Sequence, residues 1–120
     1  MPDSGETLKQ FYDAVTRGDM AKARSYLDDR LVFVGLFETY PNADKYIETL
    51  TRLMQITLRL TIKKIVSEGD HAMVFFELVT KEPVPATTMV AEWHQFNDGK
   101  IFRAQSAFDG RRFAAMFGER

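Results

Sequence analysis

The chain contains no cysteine among its 120 residues. This absence excludes disulfide bonds, thiol nucleophiles and thiolate metal ligands. The two histidines, His71 and His94, are far apart in sequence and no cluster of carboxylates accompanies either, so we expect no dedicated metal site. No glycine-rich segment joins a strand to a helix, so we expect neither a phosphate-binding loop nor a cofactor.

An excess of one charge and long hydrophobic runs are also missing. Sixteen Lys and Arg nearly balance seventeen Asp and Glu, so the formal net charge of −1 provides no basic field for a nucleic acid. No apolar run approaches the roughly 20 residues of a membrane span. Residues 1–6 have neither a basic nor an apolar segment typical of a signal peptide. We therefore expect one cytoplasmic domain over residues 1–120, without nucleic-acid or membrane partners.

The first half of the sequence has the periodicity of helices. One apolar stripe with helical spacing comprises Leu8, Phe11, Tyr12 and Val15. We expect Ser4 to cap this helix, Gly18 to end it and Asp19 to cap a second helix. A third helix is predicted to begin after Pro41-Asn42, following a short strand over about 31–37.

From Ile56 onward the apolar period changes from helical spacing to two, which is typical of strands. Strands are predicted near 56–66, 72–80, 87–96 and 100–108, with a bulge near Lys63-Lys64 and a last helical turn over 111–117. Asp98-Gly99 is a strong signal for a type I′ hairpin turn between the last two strands. Helices followed by antiparallel strands indicate an α+β domain.

This order of elements resembles the nuclear-transport-factor-2-like superfamily, in particular its SnoaL-like branch. The motifs that carry the resemblance are Phe11-Tyr12-x-Ala14-x-x-x-Gly18-Asp19, Tyr26-Leu27-Asp28-Asp29, and Asp98-Gly99-Lys100-Ile101 running to Phe108-Asp109. The resemblance implies three N-terminal helices packed in the concave face of a strongly bent, mostly antiparallel sheet, which forms a cone with a pocket. It also implies frequent homodimers through the outer sheet face. It implies no single activity, because relatives include isomerases, epoxide hydrolases, cyclases and binding domains.

The predicted hairpin suggests which side chains of the last two strands point inward. A regular ladder starting from Asn97 and Lys100 would place Trp93 opposite Ala104 on the inner face. The same ladder places three polar residues outside, where they would form a cross-strand cluster at a dimer surface: Glu92, His94 and Arg103. On the preceding strand, Val74, Phe76 and Leu78 are expected to point inward.

The residues that the family's ketosteroid isomerases use are only partly present. Their pattern requires a phenol on the first helix, a carboxylate base near the first strand and a carboxylic acid on a later strand. Phe11 corresponds to the tyrosine and Val34 to the base, while the acid corresponds to Trp93 or Glu92, depending on the alignment. At least two of the three parts are therefore expected to be absent.

The epoxide hydrolase pattern is also incomplete. Ser106 corresponds to its strand-end aspartate, and no Arg-x-Asp occurs between Ala72 and Thr80. The candidate pocket residues are Tyr12, Tyr46, Phe76, Trp93 and Ser106. Each has an alternative role as a packing residue, such as a core tryptophan for Trp93.

Three functions fit the sequence. The first is a SnoaL-like domain that binds a small hydrophobic or aromatic molecule in an apolar pocket. The second is an isomerase, cyclase or hydratase with a noncanonical site, and the third is a non-catalytic dimerisation module.

Overall fold

The computed structural model of the protein describes residues 3–114 and contains three α-helices, a six-stranded sheet and a short 3₁₀ helix. The helices are α1 (Ser4–Thr16), α2 (Met20–Ser25) and α3 (Ala43–Gln55). The strands are β1 (Leu27–Val34), β2 (Thr39–Tyr40), β3 (Thr57–Glu68), β4 (His71–Thr80), β5 (Ala86–Asn97) and β6 (Lys100–Phe108), and the 3₁₀ helix is Arg111–Phe113. No helix within residues 3–114 is long and apolar enough to cross a membrane.

The sheet is strongly curved and mostly antiparallel, with the strand order β2-β1-β6-β5-β4-β3. Among the strands of residues 3–114, only β1 and β6 pair in parallel. The helices pack against one face of this sheet, and a single hydrophobic core joins them to the strands. The α+β cone predicted from the sequence is confirmed.

Local capping signals determine where the helices begin and end. Asp19 accepts a hydrogen bond from the Lys22 backbone N–H at 3.1 Å, as predicted for the cap of α2, and Gly18 has a φ of +78°. Asn42 caps α3 in the same way, accepting from the Lys45 N–H at 2.9 Å. These caps fix the short α1–α2 and β2–α3 connections.

The prediction that Ser4 caps α1 is wrong. Asp3 is the N-cap, and its carboxylate accepts from the Glu6 N–H at 2.9 Å. Ser4 is the first helical residue, and its buried hydroxyl lies 2.9 Å from the Gly69 carbonyl oxygen and 3.1 Å from that of His71. The start of α1 is thus attached to the β3–β4 turn.

The turns and the β3 irregularity also agree with the sequence. Asp98 and Gly99 both have positive φ, 51° and 76°, as a type I′ turn requires. The β3–β4 register shifts between Ile62 and Lys64, which confirms the predicted bulge. The last helical turn is short, and the predicted continuation at 115–117 lies outside the described residues.

The predicted inward face is right for β4 and β6 but wrong for β5. The regular ladder holds only for the first two pairs, Asn97–Lys100 and Phe96–Ile101. Phe102 then has no partner, and the register shifts so that Glu92 lies opposite Ser106. Val74, Phe76, Leu78 and Ala104 are buried as expected.

This bulge reverses the predicted environment of the β5 side chains. Trp93 is 41% exposed on the outer face, where its indole nitrogen donates to His71 Nδ1 at 3.0 Å. Glu92 and His94, predicted to face outward, are buried at 6% and 1% exposure. Of the predicted outer cluster, only Arg103 is exposed.

Candidate functional site

A partly enclosed cavity of about 120 Å³ lies between the helices and the concave face of the sheet. Its wall is almost entirely apolar. Besides Tyr12 and Tyr46, six aromatic residues line the cavity: Phe33, Phe37, Tyr40, Phe76, Phe108 and Phe113. The lining residues come from α1, α3, strands β1 to β6 except the outer faces, and the segments 35–38 and 111–113.

Four of the five predicted pocket residues line this cavity: Tyr12, Tyr46, Phe76 and Ser106. Trp93 does not, because the bulge at Phe102 turns its strand position outward. The structure adds Glu92, which the regular ladder had assigned to the outer face.

Glu92 is the polar centre of the cavity wall. Its Oε1 accepts a hydrogen bond from the Tyr12 hydroxyl and lies 3.1 Å from His94 Nε2. Tyr12 is on α1 and the other two residues are on β5, so the contact joins the helical layer to the sheet. Within residues 3–114, no hydrogen bond involves the second carboxylate oxygen, Oε2, and this oxygen is not sealed from the cavity.

Burial keeps the phenols of Tyr12 and Tyr46 protonated. Desolvation raises the pKa of Tyr12 well above its usual value, and the negative charge of Glu92 raises it further. Burial, followed by Glu92, also raises the pKa of Tyr46. Both phenols therefore act as hydrogen-bond donors across the physiological pH range.

His94 is the least satisfied polar group of this network. Its Nδ1 atom is buried and has no hydrogen-bond partner within the described chain. Its Nε2 contacts Glu92, and its ring lies edge-on to Tyr12 with centroids 6.4 Å apart. His94 thus supports Glu92 from behind the cavity wall.

Tyr12 and Glu92, rather than Phe11 and Trp93, lie in the cavity wall. Phe11, which corresponds to the family's catalytic tyrosine, is fully buried away from the cavity, whereas its neighbour Tyr12 places a phenol in the wall. Glu92 rather than Trp93 faces inward on β5. Val34 is not part of the lining, to which β1 contributes only Phe33 among the described residues.

No metal-binding cluster accompanies these residues. In the part of the chain that the structure describes, no group of three or more His, Asp or Glu side chains is close enough to hold a metal ion. The polar side chains of the described lining are two carboxylates, three phenols and three hydroxyls: Glu38 and Glu92, then Tyr12, Tyr40 and Tyr46, and finally Thr49, Thr88 and Ser106.

Helices covering a curved antiparallel sheet, with an apolar cavity between them, define a cone-shaped α+β pocket protein. The family model described as SnoaL-like domain matches residues 8–104. The chain belongs to this family. Among curated proteins, none matches the sequence.

Solved structures with the same fold are distant in sequence. An NTF2-like protein from Cytophaga hutchinsonii is 14% identical with a TM-score of 0.83, and the match covers 94% of this chain and 96% of that one. An LEH-like epoxide hydrolase from M. tuberculosis is 18% identical with a TM-score of 0.76, covering 95% and 88%.

A protein with a ketosteroid isomerase-like fold from Catenulispora acidiphila, in complex with trimethylamine, is 17% identical with a TM-score of 0.73, covering 94% and 92%. At such identities these likenesses establish the fold alone.

Proposed function

We propose that this SnoaL-like domain binds a small, mainly apolar molecule in the cavity. The observation that carries the proposal is a cavity of about 120 Å³ with an aromatic and aliphatic wall and polar groups confined to a few positions. An apolar engineered cavity of roughly 150 Å³ binds benzene, so a ligand with one ring is of suitable size. The Ser106 hydroxyl and Glu92 Oε2 are available to orient it.

Two phenylalanine substitutions on β6 provide a test. Ser106→Phe fills the cavity, whereas Ala107→Phe adds the same side chain on the exposed outer face. A panel of one-ring fragments, measured by ligand-observed NMR, should bind the wild type and Ala107→Phe but not Ser106→Phe. Equal binding to all three proteins, or to none, would refute the proposal.

A second candidate function is proton-transfer catalysis of the isomerase, cyclase or hydratase type. The position of Glu92 favours it, because one oxygen is held by Tyr12 and His94 while the other is left for a substrate. A carboxylate positioned in this way can act as a general base. Enone, epoxide and cyclisable polyketide substrates should be turned over by the wild type and at least about a hundredfold more slowly by Glu92→Gln. Turnover unaffected by this change would exclude Glu92 as the base.

We also propose that the chain forms a homodimer through the outer sheet face, with different residues from those predicted. Glu92 and His94 cannot take part because they are buried. Met73, Phe75 and Trp93 lie on neighbouring positions of β4 and β5 and are 47%, 44% and 41% exposed. Such a contiguous apolar patch is unusual on a monomer. Analytical ultracentrifugation should show a dimer at micromolar concentration that Phe75→Lys converts to a monomer; a monomeric wild type would contradict this.

A further inference from the structure

The charged groups in the cavity wall are of one sign. Glu92 lies in the wall and Glu38 lies at its exposed rim, and the described lining includes no lysine, arginine or histidine. Arg52 does not line the cavity, although its guanidinium contacts Glu48 at 3.3 Å and donates to the Thr49 hydroxyl of the lining at 3.4 Å. Apart from the tyrosines, the ionisable side chains of the described lining are therefore carboxylates.

The charge of Glu92 is not compensated by its hydrogen-bond partners. Tyr12 is neutral and donates its hydroxyl hydrogen to Oε1. His94 could supply a positive charge only if Nδ1 carried a proton, and that N–H would be buried without an acceptor.

A buried carboxylate without a countercharge is costly, and a ligand can remove that cost. Within residues 3–114 no lysine or arginine forms an ion pair with Glu92. Removing a carboxylate from water costs several kcal/mol, and this cost is offset where a group of opposite charge lies close to it. A cation entering the cavity would gain the attraction of Glu92 in a poorly solvated site.

The aromatic wall favours the same class of ligand. Phe33 and Tyr46 are stacked with ring centroids 4.2 Å apart, and Tyr40 lies 6.2 Å from Phe33 and 6.4 Å from Tyr46. Aromatic faces attract organic cations through their quadrupole, most strongly where water is excluded. Phe33, Tyr40 and Tyr46 line the cavity together with Glu92, so an alkylammonium group bound there would contact aromatic rings and a carboxylate.

We propose that the cavity selects a small organic cation, an amine or quaternary ammonium ion with an apolar body. The inference rests on the proposed binding function and specifies the charge of its ligand. It follows from the uncompensated Glu92 carboxylate, the aromatic lining and the absence of basic residues from the described wall.

Three ligands of matched size separate charge from shape. Benzylammonium, benzyl alcohol and benzoate are to be titrated by calorimetry into the wild type at neutral pH. We expect benzylammonium to bind at least about tenfold more tightly than benzyl alcohol, and benzoate to bind most weakly. Glu92→Gln should reduce the preference for benzylammonium to less than about threefold, chiefly by weakening the binding of benzylammonium. Glu77→Gln on the outer face of β4 is the control, with changes below about twofold because Glu77 does not line the cavity and solvent screens its charge.

The outcomes distinguish this inference from the proposed function. Benzyl alcohol or benzoate binding as tightly as benzylammonium would overturn the cation proposal and leave the binding function intact. If one-ring fragments bind but none of the three probes does, the cation proposal is likewise overturned and the binding function stands. If neither fragments nor probes bind, both proposals are refuted. If Glu92→Gln does not fold, the order of the three wild-type affinities still decides.

Discussion

Replacing Tyr12 by phenylalanine tests whether the contact between α1 and β5 stabilises the fold. The change removes one hydroxyl from a side chain that is 2% exposed and keeps the ring that packs against Phe11 and Phe76. The hydroxyl lost is the donor to Glu92 Oε1, which retains only its contact with His94. The expected effect is therefore electrostatic, with little loss of packing.

The magnitude follows from the type of hydrogen bond. A hydrogen bond to a charged group contributes about 1.5–3 kcal/mol to stability. The loss of the donor is costly here because the buried carboxylate oxygen has little water to replace it. We expect Tyr12→Phe to lower the free energy of unfolding by about 2 kcal/mol. Urea denaturation followed by circular dichroism measures this directly.

Tyr26→Phe is the matched control. Tyr26 is only half-buried, and its hydroxyl lies 3.4 Å from Gln10 in an exposed contact. Its removal should change the free energy of unfolding by less than about 0.5 kcal/mol. A loss for Tyr12→Phe no larger than that of the control would show that water from the cavity replaces the phenol, and the reasoning about Glu92 would fail.

Three further predictions concern other parts of the chain. Asp3→Ala should cost about 1 kcal/mol in urea denaturation because it removes the cap of α1. Gly110→Ala should cost about 1 kcal/mol in the same assay, since an added Cβ would lie 2.7 Å from Phe37 Cζ and 2.3 Å from Leu36 Cδ2, and the exposed Leu36 side chain can move. Hydrogen bonds from Arg111 lower the pKa of Asp109 to about 2, so this pair stabilises the fold above the ordinary pKa of 3.8 and ceases to do so as pH falls through about 2. In Arg111→Ala, NMR titration should find the pKa of Asp109 closer to 3.8. An unchanged pKa would show that Arg111 does not lower it.

The sequence predicts the fold well where signals are local. Gly18 and Asp19 need only their own turn to end one helix and begin the next, and Asp98-Gly99 specifies its hairpin turn within a few residues. Such features do not depend on distant parts of the chain. Joined to the family resemblance, they were sufficient to predict the α+β cone.

The site was harder to predict because it depends on the register of β5. Side chains alternate between the two faces of a strand, and apolar side chains usually face inward, so this alternation assigns Trp93 to the core and Glu92 to the surface. A bulge at Phe102 and the phenol of Tyr12 on another element give the opposite result. Neither a bulge without a glycine signal nor a contact across 80 positions is visible in local periodicity.

The bulge at Phe102 has a consequence for comparing members of this family. Glu92 and Ser106 face the same cavity only because Phe102 is left out of the ladder. A relative that lacked this one residue could keep both side chains in its sequence, yet it could not present both to the cavity. Insertions and deletions in the β5–β6 hairpin can therefore alter the chemistry of the pocket while every pocket residue is retained, so that residue identity is an incomplete guide to shared function.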